Sequence, residues 1–487
     1  MSHFFTSDIP TLLFGFVFYY PFFMAWLWML GGLIYFVAYE RHDDFTHPDF
    51  SEAVTPRISI IVPCYNEEQN VREVISHLQT LNYPDYEVLA VNDGSKDRTG
   101  EILNELVAQF PTLVAIHQDK NQGKAVGLNT AAQLATGDFI LCMDGDALLD
   151  ANALHFLVRH FVKHPRMGAV TGNPRIRNRT SLLGRMQVGE FSSTVGLIKR
   201  CQQVFGRLFT VSGVIALFRK SALEEVGYWS VDMLTEDIDI SWKLQTHGWE
   251  ISYEPRALTW ILTPETLMGL YRQRLRWSKG GVQTVFKYFP AMFTPRNRMM
   301  LPLFCEYVVS IFWAYCMAFA FLLMFADAFF LLPTKWQISV VPVWNGMVLG
   351  VTCLLQLLVS CLIDRRYDRG ILKCYLWTIW YPLIFWLINV VTSLVAVPSV
   401  LFRRQGARAV WVSPDRGIQH GKSDHGSISQ KLSHGVQGEQ APENAAIYLV
   451  WFWTAAVDYW RLACHCLLSL QLSTQQPRFA QQPEPAG

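Results

Sequence analysis

Long apolar runs at both ends of an otherwise mixed chain limit what it can fold into. From Thr11 to Tyr39 there is no charged side chain, and Glu40 is the first acid after it. A bilayer core needs about 20 apolar residues per helix, so this segment is long enough to cross one. It has no A-x-A cleavage pattern after a short apolar core, so residues 1–45 read as an anchor and not a removed leader. Apolar character returns after Leu301. One span is expected within 303–332 and another within 340–363. A third stretch, Ile371 to Val400, is interrupted at Pro382. The composition agrees: 51% hydrophobic and 17% charged is apolar for a water-soluble protein.

Charged flanks complicate the third stretch. Arg365, Arg366, Arg369 and Lys373 precede it, and Arg403, Arg404 and Arg408 follow. The positive-inside rule assigns both flanks to the cytosol, which one crossing cannot satisfy. A re-entrant hairpin near Pro382 would satisfy it. Residues 403–444 are polar and read as a flexible tail. Ala445 to Leu472 is apolar and aromatic but holds Asp458, Arg461 and His465, so an extra span and an interfacial helix both fit. Residues 473–487 read as disordered. Ten cysteines are scattered without a C-x-x-C pair. Cys464, His465 and Cys466 point different ways on a helix, which argues against a metal there. A net charge of +1 gives no reason to expect nucleic acid as a partner.

The middle alternates strand and helix patterns. "RISIIVPCYNE" (57–67), "YEVLAVNDGSKDRT" (86–99) and "DFILCMDGDALLD" (138–150) are apolar runs ending in polar residues. Helical patterns lie between them at Gln69–Leu81, Thr99–Gln109 and Lys124–Leu134. This order predicts a mostly parallel sheet whose strands end on one rim, where such sheets bind ligands. Asp93 at a strand end can accept hydrogen bonds from a base or ribose, or form an Asx-turn. Lys124 can face a diphosphate or simply be a solvated lysine. Asp144 and Asp146 flank Gly145, and two hard oxygen ligands suit Mg²⁺ or Mn²⁺ shared with a phosphate; many turns also contain such a pair. In "TED", Thr235 can cap a helix, with Glu236 and Asp237 favoured by its N-terminal dipole. That dipole predicts a lowered pKa for Asp237. Gln273, Arg276 and Trp277 stand at helical spacing; they suit an interfacial anchor or a sugar platform with an Arg for a diphosphate.

The ordered set "PCYNE", "VNDGS", "DGD", "TED" and "QRLRW" resembles the processive family 2 glycosyltransferases, which include cellulose, chitin and hyaluronan synthases. The blocks at 171–200, 209–230 and 410–417 ("VWVSPDRG") are similar to the bacterial branch that polymerises β-1,6-linked N-acetylglucosamine for biofilm matrix. The resemblance covers roughly residues 20–417. It implies an α/β fold of the GT-A, Rossmann-like type with a mostly parallel sheet, embedded in a multi-span α-helical membrane protein. The catalytic domain (50–262) would lie on the cytosolic side of a bacterial inner membrane. Interfacial helices (263–300) and a membrane block (301–402) would follow.

By the same resemblance, Tyr65, Asn66 and Glu67 contact the nucleotide. Asp93 holds the uridine, and Lys124 lies near the diphosphate. Asp144 and Asp146 form the metal-binding pair, with the second carboxylate on the metal. Asp237 is the general base, and Glu236 orients or contacts the acceptor. Gln273, Arg276 and Trp277 serve the acceptor and diphosphate. The implied donor is UDP-N-acetylglucosamine, with Mg²⁺ or Mn²⁺. The lipid bilayer and the growing polysaccharide are implied partners, as are a small two-span membrane subunit and, in some bacteria, cyclic di-GMP activation. Export of the polymer would need a water-lined path with aromatic faces, for which Trp313, Trp377, Trp380 and Trp386 are candidates; a lipid-interface belt is their other reading. Members usually begin with two membrane segments, whereas this chain offers one clear one, and the segment beyond Gly417 has no counterpart. Two rival functions remain: another product of the same chemistry, or a membrane scaffold or channel with a degenerate nucleotide-binding domain.

Overall fold

A computed structural model describes residues 2–42, 50, 54–330, 332, 336, 344–403 and 408–409. The tail at 410–487, including the "VWVSPDRG" block and the apolar stretch 445–472, lies outside the described residues.

One eight-stranded sheet forms the middle of the chain. Its strands are β1 (Ile58–Cys64), β2 (Tyr86–Asp93), β3 (Leu113–Gln118), β4 (Phe139–Met143), β5 (Leu148–Leu149), β6 (Met167–Ile176), β7 (Ile215–Arg219) and β8 (Glu250–Ile261). The spatial order is β3-β2-β1-β4-β7-β6-β8-β5. The first four strands in that order are mutually parallel. Strand β7 runs antiparallel between β4 and β6, and β6 pairs parallel with β8. The β1 sequence "ISIIVPC" is buried at every position, as a central parallel strand covered on both faces must be. Helices Val71–Leu78, Thr99–Val107 and Lys124–Leu134 return the chain between parallel strands. The carboxyl ends of β1, β2 and β4 therefore share one rim.

Among the described residues, four helices are long and apolar enough to cross a membrane: Ile9–Glu40, Pro295–Asp327, Asn345–Asp364 and Ile371–Leu401. The first is continuous through Pro10 and Pro21. The expected hairpin at Pro382 is not formed. Pro382 stands in the first turn of the helix Tyr381–Leu401, where its missing N–H costs no hydrogen bond. The interruption is a 3₁₀ turn at Leu376–Trp380, ahead of that helix.

The first span is fastened to the sheet domain. A Cβ at Gly31 would lie 2.9 Å from Cys201 Cβ, and one at Gly32 would lie 3.0 Å from Leu197 Cγ. Only glycine permits that approach. At its end, Glu40 receives the Arg200 guanidinium at 2.8 and 2.9 Å and the Tyr367 hydroxyl at 2.5 Å. Arg200 also pairs with Asp364 at 2.8 Å, and Asp364 pairs with Arg175. All four charged side chains are at most 2% exposed.

Candidate active site

The rim is held by its own loops. Asn66 adopts φ +55°, the left-handed region that asparagine tolerates. Its side-chain oxygen accepts the Lys96 N–H at 2.9 Å, and its backbone N–H donates to Ser95 Oγ at 3.0 Å. Glu67 is buried and anchored through its N–H to Thr99 Oγ1 at 2.8 Å. The β1 and β2 ends are thus tied together. The Asx-turn in the second loop belongs to Asp97, whose Oδ1 accepts the Thr99 N–H at 3.0 Å, while Asn92 Oδ1 accepts the Ser95 N–H at 3.1 Å. Asp93 reaches instead across to the next loop. Its two oxygens accept the N–H groups of Gln122 (2.7 Å) and Gly123 (2.9 Å). Burial raises the Asp93 pKa, and those two N–H groups oppose the rise. Gly123, at φ +96°, then starts the helix that carries Lys124 as its first residue.

Lys124 is the hub. Its Nζ lies 2.7 Å from Asp144 Oδ1, 2.9 Å from Glu236 Oε1 and 3.3 Å from the Gly213 carbonyl oxygen. Burial opposes its charge, but the two carboxylates win and hold its pKa above the ordinary lysine value. Burial likewise opposes charge on Glu236, and Lys124 and Arg276 hold its pKa below the usual value.

Asp237 follows. The helix-dipole expectation of a lowered pKa fails: burial and the adjacent Glu236 push it up to about 6, outweighing Lys124, Arg276 and the Ile238 N–H. The expected Thr235 cap is also absent. Thr235 occupies the N-cap position without a side-chain cap bond, and its buried hydroxyl packs against Gly280. A Cβ at Gly280 would lie 2.6 Å from Thr235 Cβ, so a glycine in "SKGG" sets the distance between "TED" and the "QRLRW" helix.

Asp146 is buried, and burial with the neighbouring Asp144 pushes its pKa up to about 8. Gly145 lets this turn run against β1, since a Cβ there would lie 3.0 Å from the Pro63 carbonyl oxygen. Among the described residues no group of three or more His, Cys, Asp or Glu could cage a metal alone. Two carboxylates, one of them resisting ionisation because it is buried beside the other, fit a divalent cation that would take its remaining oxygens from a diphosphate and water.

The helix Leu267–Tyr288 brings the last motif. Arg276 is exposed and acts on both Glu236 and Asp237. The Gln273 side-chain oxygen is buried without a hydrogen-bond partner among the described residues. Trp277 meets Phe191 edge-on at 6.4 Å, and the Arg274 guanidinium stands 4.2 Å from its ring centre. Arg274 is buried and pairs with Glu190 at 2.7 Å.

Sequence reading missed Lys199 and Arg177. Lys199 is buried, donates to Ser212 Oγ at 2.6 Å, and lies close enough to Asp237 to feel its charge. Burial pulls its pKa down to about 7, and Asp237 opposes the fall. Arg177 holds Glu73 at 2.8 Å and acts on Asp146. Both lie in the 171–200 block that carries the resemblance, but in none of the five short motifs, and nothing in that block singles either out.

Beneath Ser278, the neighbour of Trp277, lies a cavity of about 370 Å³ between the spanning helices. Trp28, Trp313 and Trp386 line it, as do Ser193, Gln356 and Asn389. Trp377 and Trp380 do not; they are 40% and 42% exposed, and Trp377 carries the Arg185 guanidinium 5.0 Å from its ring centre.

Residues 56–280 match the model for a family described as "Glycosyltransferase like family 2". A poly-β-1,6-N-acetyl-D-glucosamine synthase from Staphylococcus epidermidis is 38% identical over 408 residues, 83% of this chain and 98% of that one. Its counterpart from Staphylococcus aureus strain COL is 37% identical over 407 residues, with the same coverage. The chain belongs to glycosyltransferase family 2. A solved mannosyltransferase from Pyrobaculum calidifontis, in complex with GDP-mannose and Mn²⁺, shares the fold with a TM-score of 0.56 at 19% identity, covering 81% of this chain and 99% of that one. This family 2 enzyme thus combines a Rossmann-like GT-A domain with helices able to cross a membrane.

Proposed function

We propose that this enzyme is a membrane-embedded, processive, inverting glycosyltransferase that polymerises N-acetylglucosamine from UDP-N-acetylglucosamine into a β-1,6-linked chain and takes part in its export. The observation that carries this reading is the convergence of Lys124 on Asp144 and on Glu236, the neighbour of Asp237, at the strand ends; the cavity lined by Ser278 lies between the spans. The near-full-length identity to two named synthases supports the donor and the product.

In this reading Tyr65, Asn66, Glu67 and Asp93 form the nucleotide side of the rim. Asp93 acts by setting the loop that presents Lys124. Lys124 and Arg276 face the diphosphate and offset the charge that grows as UDP departs. Asp144 and Asp146 hold the divalent cation, which when bound supplies further positive charge at the leaving group. Asp237 takes the proton of the acceptor hydroxyl as that oxygen attacks the anomeric carbon. A base with pKa near 6 is ionised at neutral pH yet basic enough to hold the proton. Glu236 keeps Lys124 in place and contacts the acceptor. A single displacement turns the α-linked donor into a β-linked product. Gln273 and Trp277 hold the acceptor end at the mouth of the cavity, whose indole faces suit sugar rings.

The test uses membranes containing this chain, Mg²⁺ and radiolabelled UDP-N-acetylglucosamine. The expected product is a high-molecular-weight polymer cleaved by a β-1,6-specific hexosaminidase, and Asp237→Asn gives none. If wild-type membranes make no such polymer, even with a two-span partner subunit and cyclic di-GMP supplied, the substrate assignment is wrong.

A further inference from the structure

The cavity between the spans is lined by indole rings, hydroxyls, amides and a single carboxylate. Among the described residues, Glu306 is the one acidic or basic residue in the lining. An ionisable side chain within an apolar membrane helix marks a functional site by default.

Several donors around it are engaged with protein acceptors. The Tyr20 hydroxyl donates to the Glu306 backbone carbonyl at 3.3 Å, leaving the carboxylate itself unused by that bond. The Tyr307 hydroxyl donates to the Ser278 carbonyl at 3.4 Å, and Ser310 Oγ to the Tyr307 carbonyl at 2.7 Å. The Trp313 indole N–H donates to the Val17 carbonyl at 2.9 Å. Gln356 Nε2 donates to Ser193 Oγ at 2.8 Å. Among the described residues the wall thus presents one carboxyl group with no cationic side chain beside it in the lining, flanked by indole faces.

We propose that Glu306 is a polymer-binding residue that accepts hydrogen bonds from the nitrogen-borne hydrogens at C2 of hexosamine units and repels uronate-bearing chains. The inference rests on the proposed function only in taking a saccharide as the occupant. The chemistry is direct. An amide N–H, or the ammonium left where an acetyl group is missing, meets a carboxylate in a low-dielectric site, where charge-assisted bonds are strongest. A hexose offers only a hydroxyl at C2. A hexuronate brings a second negative charge into the same apolar surroundings, where like charges repel most.

The experiment reads tryptophan fluorescence of the purified full chain in lipid nanodiscs, since Trp28, Trp313 and Trp386 line the cavity. The probes are four oligosaccharides of equal length: β-1,6-linked N-acetylglucosamine, its partly de-N-acetylated form, β-1,6-linked glucose, and a hyaluronan fragment. The expected order of affinity is the ammonium-bearing oligomer first, the acetylated and glucose oligomers next, and hyaluronan last. The ammonium-bearing oligomer should bind about tenfold more tightly than glucose. Glu306→Ala flattens the order. Glu306→Gln loses the ammonium advantage. Thermal denaturation of Glu306→Gln matching wild type keeps the comparison valid if the alanine variant fails to fold. A wild type that does not rank the four, or a ranking that survives in Glu306→Gln, overturns the inference. Failure of the polymerase reading registers separately, as absent incorporation of labelled N-acetylglucosamine, and leaves this ranking intact.

Discussion

Asp237 and Lys199 show how a few ångströms set the working range of a base. Asp237 ionises near pH 6 because burial and Glu236 disfavour its charge more than Lys124 and Arg276 favour it. The transfer needs it ionised, so the rate should be steady above about pH 7 and fall as pH drops through about 6. Initial rates between pH 5 and 8 at saturating donor check this; an acidic limb near 4 would show that Asp237 is not held as described. Asp237 opposes the fall of the Lys199 pKa, and by the same interaction a protonated Lys199 favours the carboxylate form of Asp237. Lys199→Met should therefore move the acidic limb to higher pH, while Lys199→Arg leaves it nearly in place. A variant that loses rate equally at every pH would mark Lys199 as packing only.

The helix Leu267–Tyr288 and the turn before Glu236 are coupled by the absence of a side chain. Gly280 within a helix normally costs up to about 1 kcal/mol against alanine. Here alanine should raise the helix's own propensity and still damage the enzyme, because its Cβ overlaps Thr235. Gly280→Ala is expected to lower turnover by about tenfold or more, since displacing a catalytic group by 1 Å can cost about 100-fold. Paired activity and thermal-denaturation measurements check it: a variant with unchanged turnover would separate the two motifs. Legibility in the sequence differed by element. Strands β1, β2 and β4 were legible because continuous apolar runs ended in polar loops. Strand β6 was not: its "TGNPR" carries a glycine and a proline, and it is tolerated because its register with β8 shifts between Thr171 and Asn173. The acidic residues of "DGD" and "TED" and Lys124 were all visible as candidates, but the lysine's pairing with both carboxylates was not, since Lys124 and Glu236 stand 112 positions apart. Trp28 was passed over because an indole in a charge-free run looks the same whether it faces lipid or a cavity.

Across the whole molecule, the first span, the Trp344–Asp364 helix and the sheet domain meet in the Glu40–Arg200–Asp364–Arg175 network. Removing one partner from a buried ion pair leaves a bare charge and costs about 3–5 kcal/mol. Arg200→Met should therefore cause a large loss of thermal stability in detergent, and the surface change Arg72→Met, which breaks an exposed pair with Glu105, should cause almost none. Equal effects would remove the network from the account of stability. The network also bears on how this enzyme can be handled at the bench. A water-soluble fragment trimmed to the sheet domain would keep Arg175 and Arg200 and discard Glu40 and Asp364. Two guanidiniums would then lie in a pocket shaped for carboxylates, open to bind any acid in the buffer. Catalytic measurements on such a fragment would describe a different molecule, and a faithful excision would begin by replacing both arginines with apolar residues of similar volume.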